Sequence, residues 1–73
     1  MVELKLHREL YASAAVEAAL ETYSPYAELE LGDDGPHRVV RVRASSPERE
    51  RRVAGEFGNY ALGMTVRGRG GDR

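Results

Sequence analysis

The hydrophobic pattern changes its period along this sequence, and the order of those changes constrains the fold more than any other feature. Apolar and polar residues alternate from Val2 to Leu6, which predicts a strand over residues 2–7. From Ser13 the apolar residues recur with helical spacing, which predicts a helix over 13–23 with Ser13 as its N-cap. The chain therefore begins with a strand followed by a helix.

Two further alternating segments surround a run of turn-forming residues at 32–36. We predict a β-hairpin in which residues 26–31 pair with residues 38–44. Serine, proline and glutamate at the start of the last segment are typical of the first turn of a helix, which we predict over 47–64. Its apolar residues with helical spacing form the predicted inner side: Val53, Phe57, Tyr60, Ala61 and Met64.

The order β-α-β-β-α predicts an α+β fold, a two-layer sandwich with both helices on one face of a three-stranded antiparallel or mixed sheet. The third strand carries Arg41 and Arg43, whereas the other two strands are acidic. Opposite charges on neighbouring strands stabilise a sheet, so we predict the strand order 2-3-1. We expect one domain over residues 1–66 and a flexible arginine-glycine tail at 67–73, and the pattern leaves open whether residues 65–67 add a short fourth strand.

The composition restricts the chemistry available to the chain. It has no cysteine, which excludes disulfides, thiol catalysis and thiolate metal sites. Its two histidines, His7 and His37, lack ligand-like spacing, and its serines lie at expected caps and turns. We therefore predict no catalytic residue, no metal, no other cofactor and no enzymatic activity. No apolar run approaches the ~20 residues of a membrane span, so we expect a cytoplasmic protein with no membrane partner.

Ten arginines against one lysine raise the question of nucleic-acid binding. The residues Arg41, Arg43, Arg67 and Arg69 are candidates for a basic patch, because arginine binds phosphates and a basic tail can fold onto RNA. The net charge of -1 and the acidic neighbouring strands disfavour such binding. A small dimerising subunit associated with RNA or tRNA, using Arg41, Arg43 and the tail, is therefore the alternative function.

Glycines interrupt the predicted second helix, where each costs roughly 1 kcal/mol relative to alanine. Helical spacing places Gly55 and Gly58 on one strip with Leu62, pointing away from the predicted core. Glycine lets another backbone approach closely, and a partner would cover the outward leucine. We predict an interaction surface at Gly55, Gly58, Asn59 and Leu62, for a homodimer or another protein, although glycines can also simply be tolerated near a helix end.

Residues 56–62, EFGNYAL, together with YASAAV at 11–16 and RVR at 41–43, resemble the HxsD family of His-Xaa-Ser systems. The resemblance covers residues 2–64, and its motif positions are Phe57, Asn59, Tyr60 and Leu62. It implies a non-catalytic accessory or scaffold role in peptide modification, with a radical S-adenosylmethionine maturase or a peptide substrate as partner. The element order is also similar to the small dimerising subunit of the KEOPS tRNA-modifying complex, which implies an assembly role.

Overall fold

The computed structural model describes residues 1–70, with side chains up to residue 68. It contains five elements in the predicted order β-α-β-β-α. They are β1 (Val2–His7), α1 (Ser13–Tyr23), β2 (Glu28–Asp34), β3 (His37–Arg43) and α2 (Pro47–Gly70). The predicted α+β fold is confirmed, and the bounds of β1 and α1 are those expected from the sequence.

The three strands form one antiparallel sheet in the order β1-β3-β2, which confirms the predicted central position of β3. Arg41 of β3 lies opposite Glu3 of β1 and Glu30 of β2. The central arginine therefore separates two acidic strands that would repel each other as direct neighbours.

Both helices pack on one face of the sheet, where Val40 and Val42 of β3 are fully buried. The ring of Phe57 in α2 is also fully buried and lies 6.2 Å from the ring of Tyr23 in α1, measured between centroids. Burial, and then the negative charge of Glu56, raise the pKa of Tyr23 above its ordinary value. The core consists of Leu6, Val16, Ala19, Val40, Val42, Val53, Ala54, Phe57 and Ala61.

The hairpin between β2 and β3 is longer and tighter than predicted. Strand β2 continues to Asp34 and β3 begins at His37, so only Gly35 and Pro36 form the turn. Gly35 adopts φ 61°, a left-handed conformation that glycine reaches without steric cost. The prediction of a loop over 32–36 was wrong because these polar residues gain strand pairing with β3, which local turn preferences do not capture.

The start of α1 also differs from the prediction. Its N-cap is Ala12, which makes no side-chain cap, and Ser13 is the first helical residue. The hydroxyl of Ser13 instead accepts a hydrogen bond of 2.8 Å from Arg38 of β3. The backbone N–H of Ala12 finds its acceptor in Thr65 Oγ1 of α2, at 3.0 Å. A tertiary contact therefore replaces the expected local cap.

Helix α2 continues beyond the predicted end at residue 64 as far as Gly70. Residues 65–67 are therefore helical and do not form a fourth strand, and residues 67–70 of the predicted tail belong to the helix. Thr65 is buried, and its hydroxyl donates to the carbonyl of Ala61 at 2.8 Å while it accepts from Ala12. These contacts hold the last turns of α2 against the start of α1. The rest of the predicted tail, residues 71–73, lies outside the described residues.

Candidate interaction surface

Helix α2 has an inner side that packs in the core and an outer side that faces solvent. We define the outer strip as Gly55, Gly58 and Leu62. Successive residues advance by about 100°, so Gly55 and Leu62 lie about 150° around the helix from the buried Phe57. Gly55 and Asn59 are exposed, Gly58 is half-buried, and 43% of Leu62 remains accessible. The structure thus places the outer strip on the outer side of α2.

The packing of the chain itself does not require glycine in the outer strip. A Cβ atom added at Gly55 or Gly58 would meet no heavy atom within 4 Å, apart from neighbouring residues of its own helix. Neither glycine adopts a positive φ. Each still costs about 1 kcal/mol relative to alanine in a helix. The described part of the fold therefore contains no compensating contact for these two residues.

Val66 extends the same surface and was missed by sequence reasoning. It follows Leu62 by one helical turn and is 60% exposed. The four-residue spacing between these residues could have revealed it, but the predicted helix ended at residue 64. With Val66, the outer side of α2 carries two large exposed apolar residues beside two glycines. No side chains protrude from the helix at the glycines.

The outer strip lies next to a free edge of the sheet. Helix α1 contacts the opposite side of α2 through Tyr60, whose ring lies 5.7 Å from that of Tyr23. Helix α2 packs mainly over β1, and less over β3, and β1 is an edge strand. Gly58 is about 160° around the helix from Tyr60, so it points away from α1 and towards the β1 edge.

A buried carboxylate joins the start of β1 to the start of α2. Glu50 accepts a hydrogen bond of 3.0 Å from the backbone N–H of Ala44, and its Oε1 lies 2.8 Å from the amino group of Met1. The hydrogen bond from that amino group, followed by the one from Ala44, lowers the pKa of Glu50. Sequence reasoning missed this residue, although it precedes Val53 and Phe57 with helical spacing on the inner side.

The predicted basic patch is divided between two faces of the molecule. Arg41 and Arg43 lie on the face of the sheet that the helices leave uncovered, whereas Arg67 lies on α2. Arg41 donates to Glu3 Oε2 at 3.0 Å and its Nη1 lies 3.6 Å from Glu30 Oε1. The hydrogen bond with Glu3 raises the pKa of Arg41. The side chain of Arg69 is outside the described part of the chain.

The two histidines meet at the end of the uncovered face. The rings of His7 and His37 are nearly perpendicular, with centroids 5.1 Å apart, and His7 Nδ1 accepts a hydrogen bond from the backbone N–H of Glu9. Among the described residues, no group of three or more histidine, aspartate or glutamate side chains is placed to hold a metal ion. Within the same residues, neither helix combines the length and the apolar character needed to cross a bilayer.

The fold and its exposed surfaces define a small α+β sandwich with an apolar, glycine-containing helix side next to a free strand edge. No protein-family model, curated protein or solved structure matches this chain.

Proposed function

We propose that this chain is a non-catalytic interaction module that binds another polypeptide through the outer strip. The observation that carries the proposal is the open space at Gly55 and Gly58 beside the exposed Leu62. These residues contribute little to the core of their own chain, yet the glycines reduce its stability. A partner backbone lying on the glycines and covering the leucine would offset that cost.

The charge distribution supports a polypeptide partner over RNA. Arg41, the central member of the alternative RNA site, already contacts two carboxylates. Arg67 lies on the helical layer, on the other side of the sheet from Arg41. A phosphate backbone would have to displace Glu3 and Glu30 to reach Arg41, which opposes binding.

The resemblance to the HxsD family supports a more specific role, as an accessory or scaffold protein in a peptide-modifying system. Within residues 56–62, Phe57 is buried in the core, whereas Asn59 and Leu62 are exposed. The motif thus combines a residue that holds the helix in place with residues available to a partner. On this proposal the partner is a radical S-adenosylmethionine maturase or the peptide that it modifies.

Site-specific photo-crosslinking in the native host tests the proposal. Leu62 is replaced by benzoylphenylalanine, and Glu21, an exposed residue of α1, receives the same replacement as a matched control. We expect light-dependent adducts at position 62, identified by mass spectrometry as a peptide-modifying enzyme or its substrate, and none at position 21. Adducts of RNA-binding proteins alone, the same adducts at both positions, or no adduct with another protein would contradict the proposed function.

A further inference from the structure

The edge of the sheet beside the outer strip carries a pattern that fits a second copy of this chain. We propose, independently of the partner proposed above, that β1 pairs antiparallel with β1 of a second copy, with Leu4 opposite its own equivalent. The two sheets would then form one six-stranded sheet, with both α2 helices on the same side.

The hydrogen-bonding direction of β1 shows which backbone groups are available. The N–H of Arg8, directly after β1, donates to the carbonyl of Pro36 at 3.0 Å. Backbone groups of an antiparallel strand alternate between its two sides. The even-numbered residues of β1 therefore bond towards β3, and the N–H and C=O groups of Glu3 and Lys5 point to the open edge.

Charge selects one register for pairing between two copies of this edge. In an antiparallel pair of β1 strands, hydrogen bonds would be exchanged between residues whose backbone groups point to the open edge. Three registers are then possible: Glu3 opposite Glu3, Lys5 opposite Lys5, or Glu3 opposite Lys5. The first two registers place like charges together, which destabilises a sheet. The third forms two Glu3–Lys5 pairs related by a two-fold axis, so that each copy presents the same surface. These pairs would add to the contacts of Glu3 with Arg41 and of Lys5 with Asp34 within each chain.

The apolar side of β1 fits the same register. Val2, Leu4 and Leu6 point to the helix-covered face, and Val2 and Leu4 are only half-buried in the single chain. In the selected register Leu4 lies opposite Leu4, and Val2 lies opposite Leu6. Pairing would therefore extend the apolar layer across the boundary between the two copies and bury surface that the single chain leaves open.

The two-fold axis through Leu4 would also bring the two outer strips together. The contact between Met1 and Glu50 aligns the starts of β1 and α2, and the contact between Ala12 and Thr65 shows that both elements run the same way. Three residues of strand cover about 10 Å, the length of about seven residues of helix. Leu4 is therefore level with the helical turn that contains Phe57 and Gly58, and two antiparallel α2 helices would approach most closely near this turn.

The other edge of the sheet lacks this pattern. Strand β2 carries Glu28, Glu30, Asp33 and Asp34 and no basic residue. Every antiparallel pairing of β2 with itself that keeps the helices of both copies on one side of the sheet would place carboxylates opposite each other, which opposes association. The two edges therefore differ in charge pattern, and only β1 is complementary to itself.

A charge-swap experiment tests the register. Sedimentation equilibrium at low salt should show a wild-type dimer of twice the 8.1 kDa chain. Lys5→Glu and Glu3→Lys should each raise the dimer dissociation constant about ten-fold or more, and the double variant should restore it. The double variant also loses the contact of Glu3 with Arg41, so its recovery cannot come from the fold of one chain. A wild-type chain that stays monomeric up to about 1 mM, or a double variant that does not recover, would overturn the proposal.

Cysteine crosslinking provides a second test, because the native chain has no cysteine. Leu4→Cys should form a disulfide-linked dimer with oxidised glutathione, which takes up the two electrons as the two thiols lose their protons. Leu31→Cys, on the helix-facing side of the β2 edge, is the matched control and should remain monomeric. Equal crosslinking of both folded variants, confirmed by circular dichroism, would overturn the proposal.

Two outcomes would distinguish an error in the proposed β1 dimer from an error in the proposed function. If the wild-type chain is monomeric but position 62 crosslinks to a peptide-modifying enzyme, dimerisation through β1 is wrong and the proposed function stands. If the charge swap behaves as expected but position 62 crosslinks only to a second copy, the dimer stands and the accessory function is wrong.

Discussion

The two faces of the sheet differ in the side chains that the central strand β3 contributes to them. On the covered face, Val40 and Val42 of β3 are fully buried beneath the helices. On the uncovered face, Arg41 lies between them in sequence and contacts Glu3 and Glu30. Apolar burial contributes most of the stability of a small domain, whereas exposed ion pairs contribute little. Stability therefore comes mainly from the covered face, whereas the charges of the uncovered face select the order of the strands.

Val39 is an exception on the uncovered face, because only 7% of it remains accessible. It lies directly opposite Lys5 of β1 and Gly32 of β2. The ammonium group of Lys5 is 3.7 Å from Asp34 Oδ2 on β2, so its aliphatic stem crosses over Val39. A long charged side chain can cover apolar surface while its charged end stays in water. Even the charged face therefore contains one local apolar contact.

Phe57→Ala should have the largest effect, since it removes the largest fully buried side chain of the chain's described part. Loss of a buried aromatic side chain costs about 3–5 kcal/mol, a large share of the stability of a small domain. The free energy of unfolding from urea titration checks this. Leu62→Ala on the outer side of the same helix is the control, and an equal loss in both variants would contradict the assignment of inner and outer sides.

Thr65→Val should cost about 0.5–1.5 kcal/mol, because the backbone N–H of Ala12 would lose its acceptor at a partly buried site. Thr22→Val is a matched control, since Thr22 is exposed and its hydroxyl only donates to the carbonyl of Ala18 in its own helix. Thermal unfolding followed by circular dichroism compares the two variants. Similar melting temperatures for both would show that the junction of α1 and α2 is not held by Thr65.

Gly55→Ala should raise the stability of the single chain by up to about 1 kcal/mol, because the added methyl group meets open space in the chain's own fold. Gly35→Ala should instead lower stability, since φ 61° is unfavourable for any residue with a Cβ atom. Urea titration at low protein concentration measures both effects. A loss of stability in Gly55→Ala would mean that the outer strip already packs within one chain.

Arg41→Ala should change the free energy of unfolding less than the preceding substitutions, because its two ion pairs are exposed and screened by water and salt. We expect the small loss to shrink further as salt is raised. Unfolding of this variant and of Arg43→Ala at low and high salt provides the measurement. A loss comparable to that of Phe57→Ala would contradict the comparison between the two faces.

Glu50 should make the stability of the chain depend on pH in the acidic range. Its pKa in the folded chain is lowered, mainly by the hydrogen bond from the amino group of Met1, so its contribution to stability is present above its ordinary value of 4.5. That contribution is lost as the pH falls through the lower folded value. Melting temperatures across this range should fall more steeply for the wild type than for Glu50→Gln. Parallel curves would contradict the role of this carboxylate.

Local sequence patterns were sufficient to predict several parts of the fold. The alternation in β1 and the helical spacing in α1 predicted both elements correctly, because their periods repeat over several residues. The charges of Arg41, Glu3 and Glu30 predicted the position of β3, since the order of the strands depends on which side chains become neighbours. The helical spacing of the apolar residues in α2 also predicted which side of this helix faces the core and which side faces solvent.

Other parts of the fold could not be predicted from the sequence, because they depend on contacts between residues far apart in the chain. The end of α2 could not be predicted, because Thr65 is held by Ala12 rather than by any neighbour. The length of the hairpin was missed because Gly32 and Asp33 become extended only by pairing with β3. The role of Glu50 requires Met1 and Ala44 to meet at the start of α2.

The sequence by itself determined the number, type and order of the elements, because periodic burial of apolar side chains is a local property of the chain. Only the tertiary structure decided that the β1 edge, with its self-complementary charges, lies beside the exposed glycines of α2. That juxtaposition depends on distances between elements, which are set by how the helices pack on the sheet. No periodic pattern along one chain contains that information.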